Sequence, residues 1–105
     1  MTRTSPPKLV YGRASKLDIK DAALWYQRTV SPGVAQEFLA AVEQCVSDIC
    51  AYPEAHSIVF CGFRKALVPD FPYSLFYVYE RRTVRVKAVM HWKRDPEDWR
   101  KRAKR

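Results

Sequence analysis

Long apolar runs are missing from this chain of 105 residues. None exceeds five residues, as at 22–26 and 75–79, whereas a bilayer-spanning helix needs about 20. Residues 1–7 are polar and lack the apolar stretch of a secretion signal. Cysteine is sparse and odd in number, at three, which excludes a paired disulfide framework. The expected compartment is therefore the reducing cytoplasm, with no membrane association. Cys50, His56 and Cys61 do not have zinc-site spacing, and neither a metal nor a cofactor is expected. Repeats and low-complexity linkers are also missing, and the length accommodates one domain over 1–105. Within it, 1–7 reads as a loose arm and 93–105 as a basic end segment. Hydrophobic residues make up 48%, with three Trp, six Tyr and five Phe, enough for one compact core.

The charge is uneven. The net value is +8, yet residues 1–80 hold eight bases and eight acids. Residues 81–105 hold eleven bases and three acids, so the whole surplus lies in the last quarter. Such a cluster is the electrostatic footprint of a polyanionic partner, either nucleic acid or an acidic protein segment.

Residues 8–11 read as a short edge strand. A helix is predicted over 15–29, with Ser15 as its cap and Asp18 completing a capping-box variant. Ile19, Ala22, Ala23 and Tyr26 form its apolar stripe, and Leu17, Leu24 and Trp25 are surplus to it. Ser31 and Pro32 predict the start of a second helix that runs to about residue 52, where Pro53 ends it. Its stripe is Val34, Phe38, Ala41, Val42, Cys45, Ile49 and Tyr52, widened by Leu39 and Val46. So short a connection makes the two helices an antiparallel hairpin. Strands follow at 57–60, 63–68, 74–80 and 83–91, rich in Tyr, Phe and Val. The motif Asp95-Pro96 opens a short C-terminal helix in which acids lead and bases follow. The expected fold is α+β, a helical hairpin packed on a small antiparallel sheet.

Arg81-Arg82 reads as a two-residue hairpin loop, without the usual Gly or Asn. Pairing Glu80 with Thr83 sets Tyr79 opposite Val84, Tyr77 opposite Val86 and Leu75 opposite Ala88. These residues, with Met90, are assigned to the face under the helices. Phe76, Val78, Arg85, Lys87, Val89 and His91 are assigned to the other face, where aromatic and basic side chains would meet a nucleic acid.

Particular residues carry a family likeness. Asp18 with Trp25-Tyr26, Phe38-Leu39 with Val42-Glu43, and Tyr52-Pro53 match a D…WY, FL…E and YP series. Arg64, Phe71-Pro72-Tyr73 and Tyr77 match R…FPY…Y, and Val89, His91, Arg94-Asp95-Pro96 and Trp99 match V.H..RDP..W. In this order, over about residues 8–100, the chain resembles the RelE/ParE superfamily, the toxin halves of type II toxin–antitoxin systems, also called plasmid stabilisation proteins. The resemblance implies a strand, two helices, three or four further strands and a basic C-terminus. It also implies a cognate antitoxin partner, acidic where it binds and folding as it does so.

The superfamily divides into two chemistries. A RelE-like ribosome-dependent mRNA endoribonuclease works without metal. It needs a base for the 2′ proton, cations for the charge developing at phosphorus and an acid for the leaving 5′ oxygen. His91 is the acid/base candidate and Arg64 the phosphate clamp. The lysine pair usual before that arginine is absent from 59–63, so the set is incomplete unless Glu54 or His56 contributes. A ParE-like toxin poisons DNA gyrase and needs an interaction surface rather than a catalytic set. The depleted set favours this second reading, and a non-toxic antitoxin-binding remnant is a third. Arg85, Lys87, Arg94, Arg100, Lys101 and Arg102 are the candidate target-binding residues. Leu24, Trp25 and Trp99 are the candidates for receiving an antitoxin helix.

Overall fold

The computed structural model describes residues 6–93. The chain runs through β1 (Lys8–Tyr11), α1 (Arg13–Thr29), α2 (Pro32–Ala51), β2 (Ile58–Phe60), β3 (Phe63–Leu67), β4 (Tyr73–Glu80) and β5 (Thr83–His91). The expected C-terminal helix, with Arg94, Trp99, Arg100, Lys101 and Arg102, lies outside the described residues. The strands form one sheet in the order β1-β5-β4-β3-β2. β2 to β5 are consecutive antiparallel neighbours, whereas β1 joins β5 in parallel. The sheet is thus mixed rather than antiparallel throughout. Connectivity dictates this: the helix hairpin returns the chain to the end where β1 finished, and three successive reversals bring β5 back parallel to β1. Among the described residues, no helix is long and apolar enough to cross a membrane.

The start of α2 is as expected. Ser31 Oγ accepts the Val34 N–H at 3.1 Å, and Pro32 occupies the first helical position. The start of α1 differs. The cap position is Gly12, three residues ahead of the predicted cap, and Ser15 is fully buried with its hydroxyl donating to the Gly12 carbonyl at 2.7 Å. A side chain at position 12 would bring its Cβ within 3.1 Å of the Val86 carbonyl oxygen, which favours glycine where the chain leaves the sheet. At the end of α2, Tyr52 projects into solvent, 73% exposed, instead of extending the stripe. It occupies the C-cap with non-helical backbone angles, which turns its side chain off the core face.

Both helices cover one face of the sheet. Ala22 and Tyr26 of α1 and Phe38, Val42, Cys45, Val46 and Ile49 of α2 pack with Leu75, Tyr77, Val84, Val86 and Val89. At the centre of one end, Tyr26, Phe38, Phe71 and Tyr73 form an aromatic cluster with ring centroids 5.1–6.3 Å apart. Each ring adds about 0.5–1.5 kcal/mol per well-placed pair to its area burial.

The β4–β5 register departs from the expected one at Lys87. Tyr77 pairs with Val86 as expected, but Phe76 pairs with Ala88 and Leu75 with Val89. Lys87 is an extra residue, a β-bulge, and every later side chain of β5 changes face. Val89 and His91 therefore lie on the helix side, and Ala88 and Met90 on the far side, reversing their expected places. The turn before it is the expected two-residue one, with Arg81 and Arg82 both left-handed at φ 51° and 57°.

Asp18 explains where the bulged strand is held. β1 ends at Tyr11, opposite Val86, so from there on β5 has no strand partner on that edge. Gly12 N–H donates to the Val86 carbonyl at 2.9 Å, and Asp18 Oδ2 accepts the Val89 N–H at 3.0 Å. The carboxylate does not close a capping box; it continues the ladder that β1 leaves unfinished. A hydrogen bond to a charged group contributes about 1.5–3 kcal/mol. Asp18→Ala is therefore expected to lower unfolding free energy in urea by that amount. Asp21→Ala, at an exposed position, should change it by less than about 0.5 kcal/mol. Equal effects of the two substitutions would contradict the assignment.

Candidate functional site

Arg64 and His91 both lie on the helix side, because their partners Tyr77 and Tyr73 do. They do not form a site. Tyr77 and Tyr73 are four residues apart on β4, about 13 Å along the strand, and the two candidates flank β4 from opposite sides. Arg64 Nη1 donates to the carbonyls of Glu54, at 3.2 Å, and His56, at 2.6 Å. Its guanidinium thus fastens the loop between α2 and β2. Tyr77 works with it: its hydroxyl donates to the Pro53 carbonyl at 2.8 Å and lies 3.2 Å from His56 Nδ1. His56 packs edge-on to the same ring. Both Glu54 and His56 meet Arg64 through their backbone carbonyls, and the His56 ring lies beside the Tyr77 hydroxyl.

His91 is half-buried, edge-on to Tyr73 with ring centroids 5.2 Å apart. Its Nδ1 accepts the Lys93 N–H at 3.0 Å, which places the proton of the neutral imidazole on Nε2. In that tautomer Nε2 carries the proton and Nδ1 is engaged by the backbone. Around it, Asp18, Asp21, Ala22 and Trp25 of α1 join Tyr73 and Val89 in a shallow cleft of about 200 Å³. The cleft carries carboxylates, which repel a phosphate rather than receive it. Among the described residues, no group of His, Cys, Asp and Glu is arranged to hold a metal ion.

The binding candidates separate in the same way. Trp25 is 53% exposed and stands edge-on to Tyr26 at 5.1 Å, forming one wall of that cleft. Leu24 beside it is half-buried. Arg85 is exposed on the far side of the sheet, and Lys87 is half-buried in the bulge. Arg94, Trp99, Arg100, Lys101 and Arg102 fall outside the described residues. Two apolar surfaces had no counterpart in the sequence reading. Trp92, 59% exposed, follows β5 with its N–H on the Pro72 carbonyl, and Ile58 and Val59 are exposed on the edge strand β2. Only the strand ends and the strand order distinguish these residues from core, and neither is encoded in the local pattern.

No protein-family model matches the chain, and no curated protein matches it. A solved chain of the chromosomal ParDE TA system from P. aeruginosa superposes with a TM-score of 0.70 at 17% sequence identity, over 81% of this chain and 95% of that one. The chain therefore has the RelE/ParE-type toxin fold, two helices on a five-stranded mixed sheet.

Burial also leaves a titration signature. Desolvation raises the Tyr77 hydroxyl from 10.0 to about 12, against a smaller lowering by Arg64, and raises the Cys45 thiol from 9.0 to about 11. In both groups the folded state favours the neutral form. Their stabilisation is complete below the unfolded values and is lost as pH rises, from 9 to 11 for Cys45 and from 10 to 12 for Tyr77. Denaturant midpoints are expected to fall across pH 9–12, with the upper part of that fall smaller in Tyr77→Phe. An unchanged upper part in that variant would contradict the placement.

Proposed function

We propose that this chain is the toxin of a type II toxin–antitoxin pair and that it arrests growth in the ParE-like manner, by engaging DNA gyrase through a surface. The observation that carries this reading is the engagement of Arg64 by the carbonyls of Glu54 and His56, far from a His91 whose Nδ1 is also occupied. The RelE-like alternative requires both groups at one phosphate. The fold supports a toxin, and among the described residues Arg64 and His91 lie apart. Arg85 and Lys87, with Arg94, Arg100, Lys101 and Arg102, are the cationic residues offered to the target. The antitoxin seats an amphipathic helix against Leu24 and Trp25 of α1, where an exposed indole rims a ready-made cleft.

The test is expression without a partner, followed by two assays on the arrested cells and the purified chain. Supercoiling by gyrase is expected to be inhibited while transcripts on translating ribosomes stay intact. Cut transcripts with unimpaired supercoiling would overturn the gyrase reading in favour of the nuclease, and normal growth would favour the non-toxic remnant. For an acidic antitoxin segment, affinity is expected to fall as salt rises, because exposed charge pairs are screened over about 8–10 Å near physiological ionic strength. Salt-independent affinity would show that apolar packing on α1 carries the association alone.

A further inference from the structure

The turn between β4 and β5 departs from the chemistry of its own type. With both central residues left-handed, it is the turn that Asn-Gly and Gly-Gly fill best, because other side chains crowd the backbone at positive φ. Here arginine occupies both positions, Arg81 at φ 51° and Arg82 at φ 57°. The turn between β2 and β3, left-handed at Cys61 and Gly62, keeps glycine in second place. Neighbours hold the strained pair from two sides. The Lys8 N–H donates to the Arg82 carbonyl at 2.9 Å, and the Thr83 hydroxyl donates to the Arg81 carbonyl at 3.3 Å. Strain secured in this manner clusters where the side chains on display are needed. Arg82 has a use within the fold, since it lines a hollow of about 410 Å³ with Cys50, Ala51 and Pro53 at the end of α2. Arg81 is exposed, and neither the turn nor the core calls for arginine there.

We infer that Arg81, together with Lys8 and Arg85, contacts the phosphate backbone of duplex DNA. Register gathers the three at one end of the sheet. Lys8 pairs with Thr83, two residues beyond Arg81, and Arg85 pairs with both Val10 and Val78. Lys8 and Arg85 therefore share the face turned away from the helices. All three cations are exposed. Residues 80–85 and Lys8 hold four cations and one carboxylate, that of Glu80.

Composition distinguishes a nucleic acid from a protein as the partner. A protein interface has a centre depleted of charge and built on large apolar side chains. Residues 80–85 expose none, since Val84 is fully buried. Phosphates are met instead by Arg, Lys and hydroxyl groups, which is what this end of the sheet presents. Shape distinguishes DNA from RNA. The major groove of B-form DNA, about 12 Å wide, admits a two-stranded ribbon such as the β4–β5 tip. The major groove of A-form RNA is too narrow for one.

The test measures binding of the full chain to a fluorescein-labelled 20-base-pair DNA duplex over a series of salt concentrations. Arg81→Asn is expected to weaken binding several-fold and to reduce the slope of log affinity against log salt by about 0.9, one phosphate contact. Its thermal midpoint is expected to rise, because asparagine suits the turn better than arginine. Lys8→Gln and Arg85→Gln should each reduce the slope similarly. Lys20→Gln, which removes the same charge from an exposed position on α1, should leave it unchanged. An unaltered slope in natively folded Arg81→Asn would overturn the inference, as would an equal loss in Lys20→Gln. Weakened binding to poly-glutamate with DNA binding spared would also overturn it, assigning the tip to an acidic protein segment. Equal or tighter binding to an RNA duplex, with the same loss in Arg81→Asn, would overturn the choice of DNA. Gyrase is absent from this measurement, so its failure and the failure of the gyrase reading are told apart.

Discussion

A single added residue in β5 determines what each side of the sheet presents. With Lys87 bulged out, Val89 joins the helix-side core and His91 faces α1, while Ala88 and Met90 pass to the far side. The bulge is sustained by a long-range bond. Asp18 of α1 takes the Val89 N–H just past the point where β1 stops, so a helix carboxylate replaces a missing strand partner. Buried backbone donors demand such partners, and this one also fixes α1 against β5.

The other residues that carry the family likeness serve the same architectural end. Tyr26, Phe38, Phe71 and Tyr73 interlock as the aromatic cluster. Arg64 and Tyr77 grip the carbonyls of residues 53–56 and so fix the turn from the last helix into the sheet. A motif built from such residues reports the fold faithfully and says little about chemistry. That is why a likeness spread over most of the chain accompanies only 17% identity to a structure of the same fold. In the proposed reading, partner choice resides on the outer side of α1 and on the basic surfaces.

The legible parts of this structure are those governed by local periodicity. The helix stripes, the Ser31 cap and the two-residue turn at Arg81-Arg82 follow from spacing and turn chemistry. The bulge was not legible, because Ala88, Val89 and Met90 are all apolar and alternation gives no phase where both faces are buried. Arg64 read as a phosphate clamp because its true acceptors are backbone carbonyls eight and ten residues away, which carry no side-chain signature. Ser15 read as a cap because its type fits one, whereas the helix starts earlier at a glycine pressed against β5. Trp25 was legible as surplus to its stripe, and it is exposed beside the cleft.

In the proposed reading, growth arrest comes from surface engagement and His91 serves packing. The most direct measurement is growth arrest by His91→Ala, expressed without a partner at the same level as the unaltered chain. The account predicts undiminished arrest, since the substitution removes a half-exposed ring and leaves Asp18, Arg64 and the basic surfaces in place. Loss of arrest by a natively folded His91→Ala chain would contradict it.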